Sequence, residues 1–176
     1  TNGECTAMAK TFSEENFLID TKNRSVVAYK HDRIDHEESL EDALVLGLSD
    51  YARRNGFTKA VLGLSGGIDS ALTAVLAVDA LGAENVVGYT MPSEFSSSGS
   101  IDDSVSLAKN LNIKIETLLI APIYQAFGEV LKNYNWENPF SVAEENVQAR
   151  IRGCLLMFFS NQSHKLYGLL CKNHLD

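Results

Sequence analysis

The chain has 176 residues, of which 45% are hydrophobic and 22% are charged, and its formal net charge is -8 at pH 7. This length predicts about one domain with a buried core, and the negative charge argues against a duplex nucleic acid partner, because no basic face would neutralise the phosphates. The longest strongly apolar run, Cys154 to Phe159, is too short to span a bilayer, so no membrane partner is expected. The cysteines Cys5, Cys154 and Cys171 cannot all pair and match no metal-binding spacing, so we expect free thiols in a reducing cytoplasm.

The first 35 residues lack helical periodicity. Short apolar segments separated by polar turns predict strands at 7–12, 16–20 and 25–29, and the charged segment 31–39 predicts a linker. From Leu40 the apolar residues follow a helical spacing as far as Tyr51, and Gly56 is expected to stop that helix.

Strands and helices then alternate along the chain. The predicted strands are 60–64, 85–91 and 113–120, and the predicted helices are 70–82, 101–111 and 124–132. A glycine, Gly82, is expected to end the first of these helices, and Ser100 to cap the second. This alternation predicts an α/β fold with a parallel sheet, right-handed crossovers and helices on both faces.

A last helix is predicted from Ser141, where Glu144 three residues later completes a capping box. Its predicted buried stripe consists of Val147, Ile151, Cys154, Leu155 and Phe158. Asn146, Arg150 and Gly153 lie together on a neighbouring stripe, because they are four and three residues apart.

The turn after the strand 60–64 has the sequence S-G-G-I-D-S, residues 65–70. Backbone N–H groups at the start of a helix attract anions, and Gly66 and Gly67 would let the backbone approach a phosphate closely. The hydroxyls of Ser65 and Ser70 are expected to act as further donors. Asp69 would repel a bare phosphate, so its presence predicts a Mg²⁺ ion that bridges the carboxylate to the phosphates.

Two common phosphate motifs are absent from the sequence. The pattern G-x-x-x-x-G-K-[ST] would bring a lysine to the terminal phosphates, and G-x-G-x-x-G would favour a dinucleotide fold of the dehydrogenase kind. A loop that holds pyrophosphate without such a lysine suits chemistry at the α-phosphate, with pyrophosphate as the leaving group. The alternative is a glycine-rich turn that binds nothing.

The complete S-G-G-I-D-S loop, after a strand and before a helix, resembles the pyrophosphate loop of the N-type ATP pyrophosphatases. This group includes the NAD, GMP, asparagine and argininosuccinate synthetases. Three further segments favour NAD synthetase, since residues 40–51 are similar to its lead-in helix, 91–104 to the segment after its second strand, and 143–157 to its substrate-site helix. Residues 1–30 resemble the closing strands of a nitrilase-type glutaminase domain, an arrangement that belongs to the glutamine-dependent NAD synthetases.

The resemblance implies a Rossmann-like fold of the adenine nucleotide alpha hydrolase type and a ligase reaction with ATP and Mg²⁺ as cofactors. ATP adenylates the nicotinate carboxylate of deamido-NAD and releases pyrophosphate; ammonia, from glutamine or free, then gives NAD and AMP. The residues that it assigns to ATP are Gly63, Leu64, Ser65, Gly66, Gly67, Ile68, Asp69, Ser70 and Met91. It also assigns the Mg²⁺ ligand to Asp69 and contacts with deamido-NAD to Asn146 and Arg150. No residue is assigned a catalytic role, and the alternative for Arg150 and Arg152 is a solvated helix face.

The resemblance also implies a domain organisation. Residues 1–35 would be glutaminase strands plus linker, and residues 36–176 the N-terminal part of the synthetase domain. The family continues with a strand and a T-T-G-N-K-S-E motif, whereas this chain follows the family only at 165–167 and then diverges. We therefore expect three parallel strands in a fold incomplete at its C-terminal side, with residues 155–159 partly exposed. The intact family is expected to form homo-oligomers.

Two alternatives to NAD synthesis stay open on the sequence. The chain would then be an inactive nucleotide-binding fragment, or another N-type ATP pyrophosphatase amidotransferase such as GMP synthetase.

Overall fold

Alternating strands and helices build a parallel sheet in the computed structural model, which describes residues 9–16, 18–20, 22, 25–26, 36–93, 98–134, 142–162 and 167–170. The helices are α1 (His36–Asn55), α2 (Ile68–Leu81), α3 (Ser98–Asn110), α4 (Ala121–Leu131) and α5 (Val142–Gln162). The strands are β1 (Ile19–Asp20), β2 (Ser25–Val26), β3 (Lys59–Leu64), β4 (Val86–Thr90), β5 (Lys114–Thr117) and β6 (Tyr167–Leu170). The predicted α/β class is confirmed. Among the described residues, no helix is both long and apolar enough to cross a membrane.

The main sheet has the strand order β5-β4-β3-β6, and all of its pairings are parallel. In the register, Gly88 lies beside Leu62 on one side and Ile115 on the other. Our expectation of three strands was wrong by one, because β6 pairs with β3 and places Leu169 beside Val61. The sequence expectation ended at residue 167, but the apolar residues that follow continue the segment far enough to form a strand.

Apolar clusters cover both faces of this sheet. One face is covered by a cluster of Leu62, Leu64, Ala74, Ala77, Val86, Ala108 and Ile113. The other cluster consists of Val61, Tyr89, Met91, Ile120, Ile151 and Leu156. Successive residues of β3 alternate between the clusters, as the strand geometry requires, so that Val61 belongs to one and Leu62 to the other. Helices α2 and α3 therefore cover one face and α5 the other, which confirms the predicted layers.

The chain divides into two compact units, Thr1–Gly47 and Leu48–Asp176. In the first unit, β1 and β2 pair antiparallel with Ile19 beside Val26, and both lie within predicted strands. The described part of the strand predicted at 7–12 is coil and turn instead, and Phe12 has a φ of 56° that a strand does not allow. The predicted domain boundary after residue 35 stays a prediction.

Helices α1, α2, α3 and α4 all begin earlier than the sequence indicated. Helix α1 includes the described end of the predicted linker. Its acidic residues Glu37 and Glu38 lie in the first turn, where their negative charges interact favourably with the helix dipole. Helix α4 begins three residues before the expected start, because Pro122 fits the first turn of a helix. Gly82 ends α2 as predicted, with a φ of 86°.

Helix α3 also begins earlier, at Ser98, so the prediction that Ser100 caps this helix was wrong. Ser100 lies inside the first turn, and its main-chain oxygen accepts a hydrogen bond of 2.8 Å from the hydroxyl of Ser104. The first turn of α3 contains no acidic residue.

The predicted stripe of α5 is confirmed in part, because Ile151 is buried and Val147 and Leu155 pack against its cluster. The buried residues of α5 are Glu144, Gln148, Ile151 and Leu156, whereas Cys154 and Phe158 are exposed. A stripe chosen by hydrophobicity passes over the two polar residues Glu144 and Gln148. The expected partial exposure of residues 155–159 is confirmed at Met157 and Phe158. Ser141, the expected cap, lies outside the described residues.

Candidate functional site

The candidate site lies where β3 ends. The strand stops at Leu64, residues 65–67 form a turn, and α2 starts at Ile68. The connection through α2 leads to β4 on one side of β3, whereas β6 lies on its other side. This reversal of strand order is a topological switch point, and ligands of open α/β sheets bind beyond the carboxyl ends of the strands at such a point.

A closed set of hydrogen bonds holds the turn. The N–H of Gly67 donates to Ser65 Oγ at 3.3 Å, Ser65 Oγ lies 3.2 Å from Ser70 Oγ, and Ser70 Oγ donates to the oxygen of Gly67 at 2.8 Å. The N–H of Ser65 also donates to Ser70 Oγ, at 3.3 Å. Both hydroxyls thus bond within the turn, so donation to an anion would require them to exchange partners.

The start of α2 offers the backbone to a ligand. Gly67 occupies the N-cap position and makes no side-chain cap hydrogen bond, and the first N–H groups of any helix have no intrahelical acceptor. Gly66 has a φ of 79°, a conformation that L side chains rarely adopt. Both features are typical of helix starts that bind anions, and the assignment of this loop to phosphate stays a prediction.

Asp69 lies in the first turn of α2 and is exposed. Its main-chain oxygen accepts a hydrogen bond of 2.8 Å from the Thr73 hydroxyl. No group of three or more His, Cys, Asp or Glu side chains suitable for a metal exists among the described residues. Asp69 is the acidic residue of the first turn of α2, and one carboxylate together with substrate phosphates is a common arrangement for Mg²⁺ in proteins.

Met91 lies at the end of the neighbouring strand β4, and its side chain is buried. A Cβ atom added to Gly63 would lie 3.3 Å from Met91 Cε and 3.4 Å from Leu156 Cδ1. Glycine at position 63 therefore lets these two side chains pack against the backbone just before the loop.

Arg152 is a residue whose place the sequence did not reveal. Its Nε atom donates a hydrogen bond of 3.1 Å to the main-chain oxygen of Met91, and the side chain is half-buried. Burial lowers the pKa of the Arg152 guanidinium below its usual value, because removal from water disfavours the charged form. The alternative of a solvated helix face is therefore wrong for Arg152.

Asn146 and Arg150 are both exposed on α5, one helical turn apart. The described geometry thus gathers Gly63, the loop 64–70 and Met91 at the ends of β3 and β4, and it presents Asn146 and Arg150 on the helix that packs under Met91. Their assignment to a substrate stays a prediction.

The chain is similar to known proteins in both sequence and fold. The family model for NAD synthase matches residues 40–169. A glutamine-dependent NAD(+) synthetase from Synechocystis sp. is 53% identical over 125 residues, which cover 71% of this chain and 22% of that protein. A glutamine-dependent NAD(+) synthetase from Acinetobacter baylyi is 35% identical over 167 residues, which cover 92% of this chain and 30% of that protein. The chain therefore spans less than a third of the length of either relative.

Among solved structures, a glutamine-dependent NAD+ synthetase from Acinetobacter baumannii in complex with adenosine diphosphate superposes with a TM-score of 0.77. It is 36% identical in sequence, and the match covers 85% of this chain and 28% of that chain.

Proposed function

Because the chain belongs to the NAD synthase family, we propose that it carries the ATP-binding part of an enzyme that amidates deamido-NAD to NAD. In this reaction the nicotinate carboxylate attacks the α-phosphorus of ATP, the bond to the β-phosphate breaks, and pyrophosphate leaves. Ammonia then attacks the carbonyl carbon of the adenylate, and AMP leaves. The observation that carries the proposal is the S-G-G-I-D-S loop between β3 and the uncapped start of α2.

The loop residues 65–70 would hold the phosphates of ATP. The N–H groups of the first turn of α2 supply donors that are fixed by the helix, and Gly67 at the N-cap has no side chain to block a phosphate. The solved relative with a similar fold is in complex with adenosine diphosphate, which supports nucleotide binding by this chain. No lysine is needed at the terminal phosphates, because the leaving group is pyrophosphate and the reacting atom is the α-phosphorus.

Mg²⁺ is proposed as the cation that accompanies ATP, with Asp69 as its ligand from this part of the chain. A single exposed carboxylate in the first turn of α2 supports this assignment. When bound, the cation would neutralise phosphate charge. Asp69 itself would set where the triphosphate can lie, because without a cation its charge repels an anion.

The remaining residues would divide between the two substrates. The main chain of Met91, held by Arg152, would lie on the adenine side, while Asn146 and Arg150 would contact deamido-NAD from α5. An exposed arginine and an asparagine one turn apart suit an anionic, polar ligand.

Glutamine is proposed as the ammonia source, with residues 1–35 as the closing strands and linker of a glutaminase domain. An alignment that covers 92% of this chain must include much of this segment, and that relative is a glutamine-dependent enzyme. Homo-oligomerisation is a further proposal, on the resemblance alone. We also propose the cytoplasm as the location, because the exposed free thiol of Cys154 suits a reducing compartment.

The test is a calorimetric titration of the 176-residue chain with ATP and Mg²⁺, followed by an assay of pyrophosphate release with deamido-NAD and ammonia. Release that requires deamido-NAD is the expected result, and xanthylate serves as the control substrate for GMP synthesis. Pyrophosphate release with xanthylate instead would indicate GMP synthetase activity. ATP binding without release would leave a nucleotide-binding fragment, and the absence of ATP binding would contradict the role of the loop.

A further inference from the structure

The glycine loop touches the first turn of α3. A Cβ atom added to Gly66 would lie 2.5 Å from the main-chain oxygen of Ser100 and 2.8 Å from its Cα. The two backbones are therefore in direct contact, and only glycine at position 66 allows it. The first turn of α3 thus packs directly against the loop.

Ser104 holds the atom that Gly66 touches. Its side-chain oxygen donates a hydrogen bond of 2.8 Å to the main-chain oxygen of Ser100, and Ser104 is completely buried. Serine hydroxyls inside helices often bond the carbonyl four residues earlier, so the bond alone has a local explanation. Here, however, its acceptor is the same oxygen that limits the position of Gly66.

We propose that Ser104 is a positioning residue for the phosphate loop, which acts by holding the Ser100 carbonyl against Gly66. The proposal rests on the proposed role of residues 65–70 in binding ATP phosphates. Ser104 would touch no substrate. Its loss would let the first turn of α3 relax, and the N–H groups of the loop would then be less well placed for the phosphates.

The experiment compares S104A with S106A, which makes the same change at an exposed position of the same helix. Alanine is smaller than serine and favours a helix, so S104A is expected to fold. Each chain is titrated with ATP and Mg²⁺, its unfolding midpoint in urea is measured, and the amide chemical shifts of Gly66 and Gly67 are recorded without ligand. In the unmodified chain, nuclear Overhauser contacts between Gly66 and Ser100 check the geometry.

We expect S104A to raise the Kd for ATP roughly three- to tenfold, the effect of one lost hydrogen bond, and to shift the amide signals of Gly66 and Gly67. S106A should leave both unchanged. A change in S104A confined to the unfolding midpoint and to signals of α3 would overturn the proposal, as would a missing contact between Gly66 and Ser100. Should the unmodified chain bind no ATP, the proposed function fails, while the amide signals still decide whether Ser104 positions the loop.

Discussion

The Nε atom of Arg152 hydrogen-bonds the main-chain oxygen of Met91 at 3.1 Å, although 61 residues separate them in sequence. The bond joins α5 to Met91, which directly follows β4. It is made in a half-buried place, where an arginine carries a desolvation cost that its partner must offset. The site is therefore supported from α5 as well as from the sheet.

Replacement of Arg152 by methionine should lower the free energy of unfolding by about 1–3 kcal/mol, because the Met91 oxygen loses a charged donor in a half-buried place. Urea unfolding measures the effect. The matched control is R150M, an exposed arginine on the same helix, which should change stability by about 0.5 kcal/mol at most. Equal losses in the two variants would mean that the bond to Met91 contributes nothing.

Replacement of Asp69 by asparagine should abolish the Mg²⁺ dependence of ATP binding without unfolding the chain, because the carboxylate is exposed. Calorimetry with ATP in the presence of Mg²⁺ and of a chelator gives the readout, and circular dichroism checks the fold. Under our assignment, the unmodified chain binds more weakly with the chelator and D69N binds equally in both. An unfolded D69N chain would show that Asp69 is structural.

Replacement of Gly66 by alanine should destabilise the chain by about 1–3 kcal/mol, because its φ of 79° strains an L side chain and the new methyl group meets Ser100. G128A is the control, since that glycine lies inside α4 with nothing within 4 Å of its added Cβ. Alanine should stabilise α4 there, by about 0.5–1 kcal/mol. Thermal unfolding of both variants provides the comparison, and a neutral G66A would refute the close contact.

Replacement of Leu156 by alanine should cost about 2–5 kcal/mol, because its side chain is almost fully buried against Gly63 and the cavity cannot fill completely. The neighbouring Met157 is exposed, so M157A should cost less than about 1 kcal/mol. Urea unfolding distinguishes the two. The reverse order would mean that α5 packs on the sheet by a different face.

Acid should weaken the C-terminal turn of α1. The hydrogen bond from Arg53, with a further contribution from Arg54, holds the pKa of Asp50 below its ordinary value of 3.8. A carboxyl group whose pKa is lowered on folding stabilises the folded state at pH values above its ordinary pKa. That contribution is lost as the pH falls through the lowered pKa. The unfolding midpoint should therefore differ between the unmodified chain and D50N at pH 6, and the difference should disappear as the pH falls from 3.8 through the lowered pKa of Asp50. A constant difference would exclude the carboxylate.

The loop at 65–70 was predictable because its signals are local. An apolar strand, two glycines and a helix follow one another without interruption, and the described structure has the same order. The face of α5 was not predictable in the same way. Glu144 and Gln148 are buried there, and no rule of hydrophobic spacing assigns polar residues to a core.

The role of Arg152 depended on tertiary packing. Arg150 and Arg152 look alike in the sequence, but two residues on a helix point in different directions, so one is exposed and the other reaches β4. The contact between Gly66 and Ser100 was also invisible, because the start of α3 was placed too late. In each case the missing information was the position of one element relative to another.

Both parts of the candidate site follow interior strands of the sheet. The loop continues from β3 and Met91 follows β4, while β5 and β6 occupy the two edges. A strand that is bonded on both sides keeps its alignment when one neighbour frays, because the remaining ladder still fixes which residues lie opposite. If β6 separates from β3, the pairing of Leu64 with Thr90 still holds the two strand ends level. The spacing between the phosphate loop and Met91 is therefore set by the β3–β4 pairing, which is the last to be lost when the outer strands of the sheet separate.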